Sequence, residues 1–398
     1  MCRYDCIVAG AGASGFAAAV GAAQAGAKVL LVDRMPAAGG SAVYTMTPVL
    51  SGWRNDSWGK AVGSMLAEKL QKYGACDWRV CRLVTSEDYL QKAMMEILED
   101  FYVDTLFNAT LCGVSCSDDR IEKISVMTSG GIREYSAANF VDATGDAVLS
   151  RLAGAEIIIP DDSESMTKTL MFKVRNVHGY DRDEVKALFK EHIGDFPVKI
   201  QDSFMGLPLL CEEEMVLNLT AVTGNAADPE ALSRMYKELC DQVGPIMDFL
   251  RRYIPCFADA VVTKLAPGVG VRYTCSVRGL RTLSMDDMHN PQMPPEPIAG
   301  CGSYIGGHFI KGYSSPWGKE ITGNPAVPYG AIRAAGLKNL LTAGRIIDVD
   351  PRAVTAIRLV AQCLATGQAA GIAAALNVPE YDVLFRELER QGCVDWMK

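Results

Sequence analysis

Gly10, Gly12 and Gly15 stand directly behind the apolar run Cys6 to Ala9, and Asp33 follows 18 residues after the last of them, in DCIVAGAGASGFAAAVGAAQAGAKVLLVD. This spacing suits a pyrophosphate cradle. The first glycine permits a tight turn, the second lets backbone approach phosphate, and the third lets helix and strand pack closely. The unpaired N–H groups and the dipole at the start of the following helix favour negative charge. Asp33 is placed to accept from a ribose and would repel a 2′-phosphate, so the pattern favours a bare dinucleotide over NADP. The competing reading is a strand and a small-residue helix packed closely without a ligand.

The elements that must position these residues follow from periodicity. Cys6 to Ala9 predicts a strand, Ser14 to Ala25 a helix, and Lys28 to Val32 a second strand, which makes a βαβ unit with parallel pairing. Ser86 to Tyr102 predicts a helix opening on Ser86-Glu87-Asp88 as cap and acidic first turn. Asp104 to Val114, Ile121 to Thr128 and Ile132 to Val141 predict three strands, with Ser129-Gly130-Gly131 as the last turn. Leu340 to Leu376 returns to the opening style, with a strand, a loop and an alanine-rich helix. The expected fold is α/β, a Rossmann-like dinucleotide-binding domain of a βαβ unit plus β-meander built from both chain ends, 1–155 and 331–398. Residues 156–330, rich in proline, charge and aromatics, are expected to form an inserted α+β substrate or cap domain.

Composition narrows the partners. The 398 residues carry 39 basic and 47 acidic side chains, a formal net charge of −8, with no basic run that could track a phosphate backbone, so nucleic acid is not expected. The apolar segments are short or interrupted, and the N-terminal run ends in glycines, so neither a membrane span nor a signal peptide is expected and a cytoplasmic protein is the default. The 13 cysteines include no C-x-x-C. That spacing argues against a disulfide framework, a zinc site and a dithiol pair, and no metal is expected.

Four stretches resemble a known family: DCIVAGAGASGFAAAVGAAQAGAKVLLVDR, AAGGSA, VDATGDAVLSRLAGA, and NLLTAGRIIDVD through TAIRLVAQCLATGQAAGIAAAL. The chain is similar to FAD-dependent oxidoreductases related to the flavoproteins of fumarate reductase and succinate dehydrogenase and to L-aspartate oxidase, within a bacterial branch of largely undefined substrate. The resemblance implies FAD and an oxidoreductase. It places Gly10, Gly12, Ala13, Ser14 and Gly15 at the pyrophosphate, Asp33 at the ribose and Arg34 beside the adenosine. Gly39, Gly40, Ser41 and Ala42 match a loop beside the flavin, and Leu111 a backbone contact to adenine. Thr144, Gly145 and Asp146 match A-T-G-D, where Asp146 also reads as a helix cap. Gly344 and Arg345 end a strand, Asp348 lies near the ribityl chain, and Ala353 to Ile357 present N–H groups at a helix start to the flavin pyrimidine edge. No histidine lies near Gly39 to Ala42, so non-covalent FAD is expected.

With one dinucleotide fingerprint, the electrons are expected from the substrate or a separate carrier rather than through an NAD(P)H domain. Candidate catalytic residues are Arg352 and Arg358, which suit a substrate carboxylate, His308 in YIGGHFIKGY, and Arg272. Arg272 opens VRYTCSVRGLRTLSMDD, where relatives tend to read R-x-x-R-R and this chain has Cys275 and Ser276 at the second and third places. Tyr313 and Tyr329 are weaker candidates for proton donors. The expected activity is hydride transfer between flavin and a small polar, carboxylate-bearing organic molecule. An NAD dehydrogenase and an FAD-binding protein without turnover are the alternatives, and oligomeric state is not legible.

Overall fold

The computed structural model describes residues 3–47, 49–52, 61–79, 82–160, 166–198, 204–290, 292–302 and 325–397. His308 and Tyr313 lie outside the described residues.

The strand Arg3–Ala9 runs into the helix Ala13–Gln24 and returns as Val29–Val32, which pairs parallel to it with Cys6 opposite Val29 and Ala9 opposite Val32. The first strand also pairs parallel with the second half of Gly131–Asp142, and that half pairs parallel with Leu340–Thr342 from the far end of the chain. The first half of the same long strand pairs antiparallel with Arg120–Thr128, which pairs in turn with Thr110–Ser117. One seven-stranded sheet therefore combines the parallel layer and the meander, with both chain ends in it.

One expected strand divides. Asp104–Leu106 joins the parallel edge beside Val29–Val32, and Thr110–Ser117 belongs to the meander. Asn108 between them takes a left-handed φ of 53°, which no continuous strand accommodates. The Ala109 N–H donates to the Asp33 carbonyl there, so the break fastens the meander to the end of the second strand. The helix Glu87–Asp100 begins as expected, with the Ser86 hydroxyl accepting from the Tyr89 N–H.

The abundance of alanine and glycine in the two long apolar helices has a packing cause. Ala13–Gln24 lies against Val360–Ala375, and their backbones approach too closely for side chains between them. A Cβ on Gly367 would sit 2.1 Å from the Ser14 carbonyl oxygen, and one on Gly371 1.9 Å from that of Ala18. Both helices begin on the same side, at the end of the sheet where the strands finish.

A second body occupies 172–265. Phe172–Arg175, Met215–Leu217, Gly206–Pro208 and Val261–Leu265 form a four-stranded antiparallel sheet, covered by Arg182–Glu191 and by the 25-residue helix Pro229–Tyr253, which Asp228 caps. Phe172, Phe189, Phe249 and Phe257 lie in its own core. The chain after it rejoins the first body: Tyr273, Leu283, Met288, Ile298, Val327 and Tyr329 all lie in the large core with the two alanine-rich helices. Lys173 of the inserted sheet meets Glu87 of the first body at 2.7 Å, with both side chains largely buried.

Candidate flavin site

The glycine turn is built by close contact. A Cβ on Gly10 would lie 2.5 Å from the Ala143 carbonyl oxygen, and one on Gly15 1.6 Å from that of Gly10, so the first strand, the strand ending at Asp142 and the helix start meet through backbone alone. No side chain caps Ala13–Gln24, and Gly12 serves as its N-cap. The N–H groups of the first turn therefore face outward without an internal acceptor. Opposite them, Gly39 donates its N–H to the Ala11 carbonyl, and Gly40 comes so close to Gly12 that a Cβ on it would be 2.5 Å from the Gly12 Cα. Gly39, Gly40, Ser41 and Ala42 thus form the start of a short helix, Gly40–Tyr44, laid over the cradle.

Asp33 directly follows the second strand. Its Oδ2 accepts from the Ala11 N–H and its Oδ1 from the Met35 N–H at 2.7 Å, which fixes the carboxylate beside the turn with acceptor capacity left over. Arg34 is exposed next to it, and Leu111 lies in the adjoining meander strand opposite Val126.

The A-T-G-D and A-G-R segments lock together across 200 residues of chain. Arg345 Nε donates to the Gly145 carbonyl at 2.7 Å, and its Nη2 to Asp146 Oδ1 at 3.1 Å. This corrects the expectation that Asp146 caps a helix. Ala147, with φ of 56°, is the N-cap of Val148–Leu152, and Asp146 is turned toward Arg345 and the Thr274 hydroxyl. The capping work falls to Thr144, whose Oγ1 accepts from the Val148 N–H. Sequence reasoning passed over Asp142, the first acid of FVDATGD. It is fully buried, with Oδ1 accepting from the Thr144 N–H and hydroxyl and Oδ2 from the Ser150 N–H and hydroxyl. Burial raises its pKa, against the lowering effect of those four bonds. The hydroxyl residues two and eight positions after it, Thr144 and Ser150, were the available signal.

Ala353 to Ile357 is not the start of the long helix, which begins at Val360; it is a separate 3₁₀ turn centred on Val354–Ala356. The N–H groups of Ala353, Ala356 and Ile357 already donate to the carbonyls of Asp350, Ala353 and Val354. Among the described residues no internal acceptor engages those of Val354 and Thr355, the first of the turn, and the buried Thr355 hydroxyl has no partner. Asp348 is fully enclosed, with Oδ2 accepting from the Gly279 N–H at 2.8 Å and from Arg278, and with Oδ1 lacking a donor among the described residues.

The arginines divide. Arg352 is exposed and its guanidinium forks onto Asp350, with Nη2 at 2.8 Å from Oδ2, so the salt-bridge reading holds for it. Arg358 has no ion pair among the described residues, and its buried Nε lacks an acceptor. Arg272 donates to the Thr167 carbonyl at 2.6 Å and to Asn218 Oδ1 at 3.3 Å, both neutral groups. Burial, then repulsion from Arg358, lowers the Arg272 pKa to about 9. Burial first, with repulsion from Arg345 opposing a favourable effect of Cys363, lowers that of Arg358 to about 10. Both remain cationic at neutral pH. Cys363 is held as a neutral thiol by burial, its pKa up at about 11. Tyr329 is buried in the main core, its hydroxyl without a partner among the described residues and its pKa raised by burial.

The open acceptors and donors of this region fit a dinucleotide with a flat polar ring: an uncapped helix start for pyrophosphate, a fixed carboxylate for ribose, and the unpartnered Asp348 Oδ1, Thr355 Oγ1 and Arg358 Nε further along. Fold and site together define a Rossmann-like flavoenzyme. The chain belongs to the FAD dependent oxidoreductase family, whose model matches residues 5–391. It is an FAD-dependent oxidoreductase. No curated protein matches it. Among solved structures it is similar to a geranylgeranyl bacteriochlorophyll reductase-like protein from Thermoplasma acidophilum, at 14% identity and a TM-score of 0.52 over 99% of this chain and 86% of that one. It is also similar to BexE, at 14% identity and a TM-score of 0.51 over 99% of this chain and 67% of that one. At such identity these likenesses speak to fold alone. No helix among the described residues is long and apolar enough to cross a membrane.

Proposed function

We propose that the protein transfers a hydride between non-covalently bound FAD and a small organic substrate carrying a carboxylate, which Arg272 and Arg358 hold. The kinship to the fumarate reductase and aspartate oxidase flavoproteins belongs to this proposal. The observation that carries it is that Arg272 donates only to neutral groups while repulsion from Arg358 lowers its pKa, and that neither guanidinium has a carboxylate partner among the described residues. Two half-buried cations without a counter-charge are costly, and a bound anion relieves the cost. Arginine also orients a carboxylate through paired N–H donors.

Bound FAD supplies the group that accepts or gives the hydride. Gly10, Gly12, Ala13, Ser14 and Gly15 hold its pyrophosphate, Asp33 its ribose, and Arg34 and Leu111 flank the adenosine. Gly39, Gly40, Ser41 and Ala42 close over it, Thr144, Gly145, Asp146, Gly344 and Arg345 brace the opposite wall, and Asp348, Ala353 and Ile357 shape the flavin end. Val354 and Thr355 offer N–H groups where reduced flavin gathers negative charge. Residues 156–330 provide the substrate side, with Arg272 as their contribution and Thr167 and Asn218 fixing its fork. A separate acceptor or donor completes the cycle. Arg352, taken up by Asp350, is left out of this role.

The test is anaerobic bleaching of the flavin bands by small hydroxy and keto acids, alcohols and NADH. An organic acid that bleaches where NADH does not supports the reading. Arg358→Gln should slow that bleaching about tenfold or more, the worth of a charge-assisted hydrogen bond, and Arg352→Gln should leave it within about twofold. Reduction by NADH alone, or equal effects of the two substitutions, overturns it.

A further inference from the structure

The short helix Gly40–Tyr44, laid over the cradle, ends in a turn whose side chain leaves the flavin-binding body. The Met46 N–H donates to the Val43 carbonyl and the Thr47 N–H to that of Ala42, both at 3.2 Å, and Met46 has a left-handed φ of 51°. Helices often close in this way, with glycine as the usual residue at the left-handed position because a Cβ is disfavoured there. A methionine is held in such a conformation by what surrounds it.

Met46 is fully buried, and every other residue of the apolar cluster around it comes from 170–269. Leu170 and Ala266 lie where the chain enters and leaves the inserted body, and Met235 and Leu239 lie on its long helix Pro229–Tyr253. One side chain of the flavin-binding body thus completes a core of the inserted one. The backbone joins at the same place: the Gly268 N–H donates to the Tyr44 carbonyl at 3.1 Å, and the Thr47 hydroxyl to Met171 Sδ at 3.8 Å.

The entering and leaving segments are tied to each other at this crossing. Thr169 and Gly270 each donate to the other's carbonyl, Gly270 at 2.7 Å. Arg272 follows two residues later, and its Nη1 donates back across the crossing to the Thr167 carbonyl at 2.6 Å. On the opposite side, the Thr45 N–H and hydroxyl both donate to the Ser41 carbonyl, so bonded steps lead from the loop Gly39 to Ala42 through Met46 to the crossing.

We propose that Met46 is a positioning residue: through it, FAD bound beneath Gly39 to Ala42 fixes the crossing that carries Arg272. A close-packed apolar anchor suits this task, since such a core transmits displacement rather than absorbing it. Freedom that the loop loses on binding is passed to the crossing as resistance to local opening. The link needs only bound FAD; its meaning for substrate rests on the role given to Arg272 above.

The experiment is hydrogen exchange of the full chain without and with FAD, read at the amides of Thr169, Gly268 and Gly270, none of which is among the residues placed at the cofactor. In the wild type FAD should slow these amides about tenfold or more. Met46→Ala should abolish that slowing while the amides of Gly12 to Gly15 are still slowed. Met46→Gly, which the backbone accepts at this φ, removes the same side chain and keeps the turn, and should act alike. Met46→Leu, of similar volume, should restore the slowing to within about threefold. Leu239→Ala opens the same cluster from the inserted side, so it should speed exchange of the long helix yet leave the FAD-dependent slowing at the crossing in place. Absence of that slowing in the wild type, its survival in Met46→Ala and Met46→Gly, or its equal loss in Leu239→Ala each overturns the role of Met46. No substrate enters the measurement, so a protein whose flavin no organic acid bleaches would refute the reading of Arg272 and Arg358 and leave this result standing.

Discussion

Asp33 shows how much of this site is carried by one side chain. Its two oxygens accept from backbone N–H groups on either side of the turn, Ala11 and Met35, and the same carboxylate is the ribose acceptor in our reading. Asp33→Asn keeps the shape but turns one acceptor into a donor that faces a backbone N–H. The expected result is a rise of about ten- to a hundredfold in the FAD dissociation constant, measured by quenching of flavin fluorescence on reconstitution, since hydrogen bonds to charged groups contribute about 1.5–3 kcal/mol. An unchanged constant would remove Asp33 from the cofactor. The residues legible in the sequence were of this local kind: glycines and an acid whose spacing along a strand, a turn and a helix already fixes their meeting. Arg345, Gly145 and Asp146 were legible only as matches to a family, because their contact spans 200 residues. That Arg272 bonds only to the neutral Thr167 carbonyl and Asn218 Oδ1, with no carboxylate beside it among the described residues, was not legible, since nothing in a linear chain marks a charge without a partner.

Among the elements, the two alanine-rich helices bear the closest packing. Gly367→Ala removes a glycine from a helix interior, and propensity alone would stabilise the protein by about 1 kcal/mol. The new methyl would meet the Ser14 carbonyl at 2.1 Å, inside the first turn of the cradle helix. Overpacking costs about 1–3 kcal/mol, so the net effect is destabilising and FAD binding weakens with it. A thermal melt that rises on this substitution would show that the helices have room to separate. A second element-scale prediction concerns Glu96 on Glu87–Asp100. Bonds from Lys92, Tyr73 and Lys69 lower its pKa from 4.5 to about 2. A depressed carboxylate contributes stability above its unfolded pKa and loses it as pH falls toward the folded value. Replacing it as Glu96→Gln should therefore lower the denaturation midpoint near neutrality, with the difference from wild type closing between pH 4.5 and about 2. A difference constant over that window would place the effect elsewhere. Strands and helices were read well where periodicity was unbroken. They were misread at Asn108, where a left-handed residue ends one strand and starts another, and at Ala353 to Ile357, where a 3₁₀ turn has the composition of the helix behind it.

For the whole molecule, the FAD-binding body is assembled from both chain ends because the long strand Gly131–Asp142 pairs with the first strand on one side and with Leu340–Thr342 on the other. The inserted body has its own phenylalanine core over 172–265, and Tyr273, Leu283, Met288, Ile298, Val327 and Tyr329 lie back in the main core. We therefore propose that the independent part of the cap is 172–265, and that the chain returning from it brings Arg272 to the substrate side. The sequence texture of that stretch separated it from the chain ends but held no mark of where it rejoins them, because burial in a shared core is a property of the fold.

In our proposal Arg272 and Arg358 hold an anionic ligand at bound flavin. The measurement that reaches it most directly is a titration of the FAD-loaded protein with malonate, followed by the flavin difference spectrum, beside the same titration with malonamide. Malonate should shift the flavin bands saturably, malonamide should not, and Arg272→Gln should weaken the malonate effect about tenfold or more. A protein that carries no flavin, or bands that respond equally to the acid, the amide and the variant, would contradict it.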